Sequence, residues 1–251
     1  MLAAAGAVPL PVSRSERAER SGDQFDKLNT ADELHSHPMH LVLDYGGVIV
    51  EHGDEREQAD LLGVDPDTDP YPGWIAYFAF RDGFVQTTAE YVDLLSTLTG
   101  APPDACREYA DRTWLDPEFP EPHADVLREL AAEHTLVLFS NMARPWIETV
   151  LSEHGVRDCF DDLVVSSDIQ RPKPHPLGYV ECLPEDDDPV TFVSDEYNED
   201  LLMGEVFGMT SVWVETDDET PYREPDVRIS SLRELPDVLA PDGTLPVRSD
   251  S

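Results

Sequence analysis

Apolar runs of strand length alternate with segments of helical period along this chain, from about residue 39 onward. The strand-like runs are HLVLDY (40–45), TLVLFS (135–140), LVVSSD (163–168), PVTFVSD (189–195) and TSVWVE (210–215). Their apolar residues are nearly continuous, which is typical of strands buried on both faces. Strands of this kind, separated by helices, form a parallel sheet with helices on each side. The sequence therefore predicts an α/β fold built on one parallel sheet.

The stretch between the first two strand runs has helical periodicity and no convincing strand. In TTAEYVDLLSTLTG, Thr87 and Glu90 have the spacing of a capping box. Apolar residues then recur at helical intervals, and Gly100 is a typical helix stop. We predict that the aromatic segment YPGWIAYFAF (71–80) packs against this helix. Residues 52–118 would then be a small helical insert after the first strand.

The insert divides the predicted core into two pieces, residues 39–51 and 119–240. Residues 1–38 and 241–251 show no sustained strand or helix pattern, and we expect both to be disordered tails. The opening MLAAAGAVPLPV lacks a basic region and contains proline, unlike a signal peptide. These features favour a cytoplasmic protein.

The chain carries 53 acidic residues against 17 basic ones, for a formal net charge of −36 at pH 7. Nucleic-acid phosphates and anionic membranes would be repelled, so neither is expected as a partner. Only Lys27 and Lys173 are lysines, and the other basic residues are arginines. An acidic excess with almost no lysine is the composition expected of a halophilic protein in a cytosol with molar salt.

This charge predicts that stability depends on salt. Repulsion between the carboxylates loosens the compact state when ionic strength is low, whereas molar salt screens it over a few Å. We expect the melting temperature, followed by circular dichroism, to rise along a series of KCl concentrations. An unchanged melting temperature between low and molar salt would remove the halophile interpretation.

Polar side chains stand at or just beyond four predicted strand ends. They are Asp44 after the first strand, Ser140 and Asn141 after the second, Lys173 in the loop SSDIQRPKP, and Asp195 with Glu196 after PVTFVS. Taken singly, each of these residues is more typical of a helix cap or a turn than of a functional site. In parallel sheets, however, ligands bind where the carboxyl ends of strands meet. Carboxylates there can hold Mg²⁺, and a hydroxyl with a lysine can bind phosphate.

Four segments, LVLDYGGV, LFSNM, RPKP and TFVSDE…D, resemble in order the four motifs of the haloacid dehalogenase-like hydrolases (HAD superfamily). The resemblance runs from about residue 39 to 240. It implies a Rossmann-like parallel-sheet core, and the helical insert lies where subfamily I enzymes carry a cap. The first motif resembles the DxGGV variant of that family.

The resemblance also implies a role for each strand-end residue. Asp44 would be the nucleophile and form an aspartyl-phosphate intermediate. The implied Mg²⁺ ligands are Asp44, the Gly46 carbonyl, Asp195 and Glu196; the implied phosphoryl-binding groups are Ser140, the Asn141 amide and Lys173; and Asp200 would stand behind the metal ligands. Asp195 fits the metal-binding position by side-chain type and Glu196 fits it by register, so both stay candidates.

Phosphatases of the family usually have a second aspartate two residues after the nucleophile, and this chain has Gly46 there. The resemblance still implies a Mg²⁺-dependent phosphomonoesterase acting on a small phosphorylated metabolite. One alternative is a binding or regulatory protein that kept the fold and lost turnover, which the missing acid favours. Another is a 2-haloacid dehalogenase, since halide leaves without a proton, although paired acids beside an anionic substrate argue against it.

Overall fold

A computed structural model describes residues 38–186, 188–216 and 219–239, so the two predicted tails lie almost wholly outside the described residues. The strands are β1 (His40–Leu43), β2 (Thr135–Ser140), β3 (Asp162–Val165), β4 (Val190–Ser194), β5 (Thr210–Val214) and β6 (Val227–Ile229). They form one sheet in the order β3-β2-β1-β4-β5-β6, and every neighbouring pair is parallel. The predicted Rossmann-like α/β fold is confirmed.

Both faces of the sheet are buried. Leu41 and Leu43 of β1 belong to one hydrophobic core, while Val42 belongs to a second core on the opposite face. This explains the continuous apolar runs, because alternate side chains of each strand enter different cores.

The two central strands, β1 and β4, mark the point where the order of strands reverses. Their register pairs Leu43 with Val193, and the Asp44 N–H donates to the Val193 carbonyl at 2.9 Å. Asp44 and Ser194 therefore emerge side by side at the carboxyl edge. Open α/β sheets bind ligands at such a reversal.

Ten α-helices are described. They are α1 (Ala59–Leu62), α2 (Pro72–Arg81), α3 (Thr88–Thr99), α4 (Pro103–Ala110), α5 (Glu121–Glu133), α6 (Arg144–Glu153), α7 (Ser166–Ile169), α8 (Pro176–Glu181), α9 (Leu202–Val206) and α10 (Leu235–Val238). Two π-helical turns, Asp111–Leu115 and Tyr197–Leu201, directly follow α4 and precede α9. Across the described ranges, no helix combines the length and the apolar character needed to cross a bilayer.

Helices α1–α4 lie between β1 and β2 in the chain, where the sequence predicts an insert. The capping box is present at the start of α3, with Glu90 N–H donating to the Thr87 hydroxyl at 3.2 Å and the reverse bond also formed. Gly100 ends α3 with a left-handed φ of 76°. Phe80 of α2 packs against Tyr91 of α3, as predicted for the aromatic segment.

One predicted strand boundary was wrong. LVVSSD does not continue as a strand, because β3 ends at Val165 and the next residues turn into α7. There the Ser166 hydroxyl donates to the Arg81 carbonyl of α2 at 2.8 Å, a tertiary contact that strand geometry does not provide. The helical segment after β4 begins with the π-helical turn, where Leu201 N–H donates to the Glu196 carbonyl at 3.3 Å.

Candidate active site

A buried ion triplet occupies the carboxyl edge of β1 and β4. Lys173 Nζ lies 2.8 Å from Asp44 Oδ2 and 2.5 Å from Asp200 Oδ2. The side chain of Lys173 is 4% exposed and that of Asp200 is 2% exposed. Burial opposes the charge of the ammonium, but Asp200 and Asp44 outweigh it and raise the pKa of Lys173. Lys173 is therefore a fixed cation at neutral pH.

Ser194, the last residue of β4, joins the two acids of the triplet. Its hydroxyl lies 3.3 Å from Asp44 Oδ2 and 3.0 Å from Asp200 Oδ2. Ser194 was not among the site residues predicted from the sequence. Its position could have indicated a role only together with the order of the strands. Ser194 ends the strand that lies next to β1, so it reaches the same edge of the sheet as Asp44.

Asn141 positions Lys173 through the backbone. Its side-chain oxygen accepts from the Lys173 N–H at 2.6 Å, and its side-chain nitrogen donates to the Lys173 carbonyl at 3.2 Å. The side-chain amide is thus occupied. The Asn141 backbone N–H has no acceptor within the described ranges, so this group is free to donate to a ligand.

A cavity of about 550 Å³ opens above the triplet. Seven of the predicted site residues line it: Asp44, Gly46, Ser140, Asn141, Lys173, Asp195 and Glu196. Asp200, predicted to stand behind the metal ligands, does not line the cavity and is buried beneath Lys173. The structure therefore brings all the predicted strand-end residues to one place.

Asp195 packs directly against the backbone of Gly47. Gly47 has a φ of 68°, and a Cβ at that position would overlap the Asp195 carboxylate. Burial, then the charges of Asp44 and Glu196, raise the pKa of Asp195; burial and Asp44 raise that of Glu196. Neither acid has an ion-pair partner in the part of the chain that the structure describes. Two unpaired carboxylates thus face the same cavity as Asp44.

These elements fit a known family. A family model described as a haloacid dehalogenase-like hydrolase matches residues 29–208. The chain belongs to the haloacid dehalogenase-like hydrolases. No curated protein matches its sequence.

Solved structures of this family share the fold. An L-2-haloacid dehalogenase from Xanthobacter autotrophicus has a TM-score of 0.55 at 18% identity, over 80% of this chain and 98% of its own. A HAD phosphatase from Thermococcus onnurineus has a TM-score of 0.58 at 17% identity, over 82% and 100%. The putative HAD-hydrolase YfnB from Bacillus subtilis, bound to magnesium, has a TM-score of 0.57 at 18% identity, over 81% and 99%.

The donor atoms of this HAD-like hydrolase fit magnesium in kind. Hard oxygen ligands are available from Asp44, Asp195, Glu196 and the Gly46 carbonyl. In the described ranges no basic side chain forms an ion pair with Asp195 or Glu196, so a cation would supply the positive charge that these two acids lack. Within residues 38–186, 188–216 and 219–239, no three His, Cys, Asp or Glu side chains are close enough to form a metal site by themselves. Mg²⁺ would therefore need water, backbone or substrate oxygens as well, which is its usual preference.

His52 fills the space beside the position of the missing acid. Its Cδ2 atom lies 3.4 Å from where a Cβ on residue 46 would stand. Both ring nitrogens are buried without a well-formed hydrogen bond in the described part of the chain, and so is the Tyr45 hydroxyl. Burial lowers the pKa of His52 to about 4, although the Thr113 backbone and the charge of Asp44 oppose the shift. His52 is thus a neutral imidazole at neutral pH.

This shift predicts a pH dependence of stability. The unfolded chain protonates this histidine near its ordinary pKa of 6.5, whereas the folded chain does so only near 4. Stability is therefore lost as pH falls through this window, by about 3 kcal/mol for a shift of this size. We expect His52→Phe to lose less stability than wild type between about pH 7 and about pH 4.5, in denaturant titrations in molar KCl.

The matched control is His175→Asn, which changes an exposed histidine at the start of α8. It should keep the wild-type pH dependence. Equal losses in wild type and His52→Phe would contradict the assignment of a neutral, buried imidazole at position 52.

Proposed function

We propose that this hydrolase is a Mg²⁺-dependent phosphomonoesterase acting on a small phosphorylated metabolite, with Asp44 as the nucleophile. The observation that carries the proposal is the placement of two unpaired acids, Asp195 and Glu196, around the cavity that also exposes Asp44. Burial and the charge of Asp44 raise the pKa values of both acids, so their ionised forms need a nearby cation, which would also attract an anionic substrate. Such a donor set suits a divalent cation and a phosphoryl group together.

In the proposed reaction, an Asp44 carboxylate oxygen attacks phosphorus and the bond from phosphorus to the leaving oxygen breaks. Water then hydrolyses the aspartyl phosphate and releases inorganic phosphate. The Tyr45 N–H donates to Asp44 Oδ1 at 2.7 Å and orients the carboxylate. Bound Mg²⁺ would offset repulsion between the carboxylate and the phosphoryl group.

Three groups on the cavity wall would bind the phosphoryl oxygens. The ammonium of Lys173 supplies charge, the Ser140 hydroxyl lines the cavity, and the Asn141 backbone N–H has no acceptor among the described residues. Donors fixed before substrate arrives stabilise the developing charge without reorganisation. Helices α1–α4 would form the cap that covers the substrate.

The proposal predicts a steep dependence of rate on the leaving group. A general acid contributes about 10²- to 10⁴-fold, and Gly46 has no side chain to supply it. We expect wild-type enzyme to hydrolyse aryl and acyl phosphates fast, and alkyl and sugar phosphates slowly. Rates across a series of esters of known leaving-group pKa test this, and equal rates with rate-limiting chemistry would mean that another group donates the proton.

One experiment separates the proposal from its competitors. Phosphomonoesters and 2-haloacids are assayed in molar KCl with Mg²⁺ or with EDTA. Phosphate release that needs Mg²⁺ supports the phosphatase. If neither phosphate nor halide is released, the result favours a binding or regulatory protein that has lost turnover.

The second candidate is a 2-haloacid dehalogenase, which the ion triplet favours. Asp44 is held by Lys173 at 2.8 Å without any metal, and halide leaves without a proton. Structures named as dehalogenases are among those with the same fold. Halide release that is insensitive to EDTA would establish this alternative.

A further inference from the structure

The side of the cavity formed by the helical insert is aromatic. Four rings from this segment line it: Trp74, Tyr77 and Phe78 of α2, and Trp114 of the π-helical turn after α4. Asp44 and Lys173 line the same cavity. At about 550 Å³ it has the size of a site for a small organic ligand, for which roughly 300–1,000 Å³ is usual.

Tyr77 ties the aromatic wall to the anion-binding groups. Its hydroxyl donates to the Asn141 carbonyl at 2.7 Å, so the ring stays at a fixed place beside the end of β2. One face of the ring stacks on Trp114, with centroids 4.8 Å apart. Trp114 in turn stacks on Trp146, with centroids 5.5 Å apart. The Tyr77 ring is therefore held in a fixed position on this side of the cavity.

Phe78 is the exposed ring of the wall, with 44% of its surface accessible. The Arg81 guanidinium lies over it, 4.6 Å from the ring centroid, while its Nε donates to Asp82 at 2.7 Å. Aromatic area left accessible inside a concave site is area that a ligand can cover. A planar apolar group is the kind of ligand that such rings contact well.

A second observation limits the leaving group independently. Gly46 supplies no acid, so the group must depart readily as an anion, which aryl oxides and acyl groups do and alkoxides do not. Aromatic walls alone would also accept a sugar ring. An aryl oxide satisfies both observations, and it places the ring next to the phosphoryl group.

We propose that the substrate is an aryl phosphate monoester, whose ring lies against Tyr77 and Phe78 while Lys173 and Ser140 bind its phosphoryl group. The inference rests on the proposed phosphomonoesterase function and names its substrate class. Hydrolysis breaks the bond between phosphorus and the aryl oxygen, which leaves as the aryl oxide and is protonated by water.

The test uses phosphonates that cannot be hydrolysed, so that binding is measured apart from leaving-group chemistry. Inorganic phosphate, methylphosphonate, cyclohexylphosphonate and phenylphosphonate are titrated by calorimetry into wild-type protein with Mg²⁺ in molar KCl. We expect phenylphosphonate to bind at least about tenfold more tightly than methylphosphonate, from the apolar area it covers. It should also bind roughly two- to tenfold more tightly than cyclohexylphosphonate, from aromatic contact.

Phe78→Leu should remove most of the preference for phenyl over cyclohexyl while leaving phosphate affinity unchanged. The matched control is Phe84→Leu, which changes an exposed phenylalanine that does not line the cavity and should alter neither quantity. If phosphate and methylphosphonate bind but phenylphosphonate binds no tighter than cyclohexylphosphonate, the aryl assignment is overturned. If phosphate itself does not bind, the proposed phosphomonoesterase function fails instead.

Discussion

Asp44→Asn should reduce turnover of every phosphomonoester to below about one thousandth of the wild-type rate, because an amide is a very poor nucleophile toward phosphorus. The fold should survive the change. Lys173 keeps Asp200 as a partner at 2.5 Å, so the buried triplet becomes a neutral pair and leaves no uncompensated charge. Steady-state rates and the melting temperature, both in molar KCl, test the two expectations.

Asp200→Asn is the matched control for this prediction. It removes the same charge from the same triplet, leaves Lys173 paired with Asp44 at 2.8 Å, and keeps the nucleophile. Its activity should fall far less than that of Asp44→Asn. Retention of most activity in Asp44→Asn would exclude the covalent mechanism, whatever the control shows.

Lys173→Met should destabilise the protein by about 3–5 kcal/mol, because it leaves the carboxylates of Asp44 and Asp200 buried together without a cation. The effect should depend on pH. Burial already raises the pKa of Asp200, and Lys173 opposes that rise, so removing Lys173 raises the pKa further. A folded-state pKa above the unfolded one means stability is present at low pH and lost as pH rises. The loss should therefore be larger at about pH 8 than at about pH 5.

Two further variants test the shape of Lys173 and its pairing with Asp200. Lys173→Arg keeps the charge, yet the wide guanidinium does not fit a side-chain position that is 4% exposed, so phosphate binding should weaken. Adding Asp200→Asn to Lys173→Met should recover part of the lost stability, because one buried charge is removed. Calorimetric titration of inorganic phosphate tests Lys173→Arg, and denaturant titrations compare the stabilities of Lys173→Met and the double variant. A Lys173→Met loss that does not change with pH would contradict the triplet.

The helical insert shows how local patterns succeed. The capping box at Thr87 and Glu90 and the stop at Gly100 were predicted from neighbouring residues, and all three are confirmed. Their hydrogen bonds join residues only a few positions apart, so the sequence states both partners at once. The error in predicting where the third strand ends has the opposite cause. The Ser166 hydroxyl bonds to the carbonyl of Arg81, which is 85 positions away in the chain.

The sequence by itself determined the α/β fold, the parallel sheet and which residues gather at its carboxyl edge, because periodicity and strand-end position are properties of short segments. Only the tertiary structure decided how those residues are used. Ser194 contacts Asp44 across 150 positions, the Asn141 side chain is committed to the Lys173 backbone, and Asp200 lies beneath the cavity. Such pairings depend on the register between strands and on the space left by distant side chains, which no local pattern specifies.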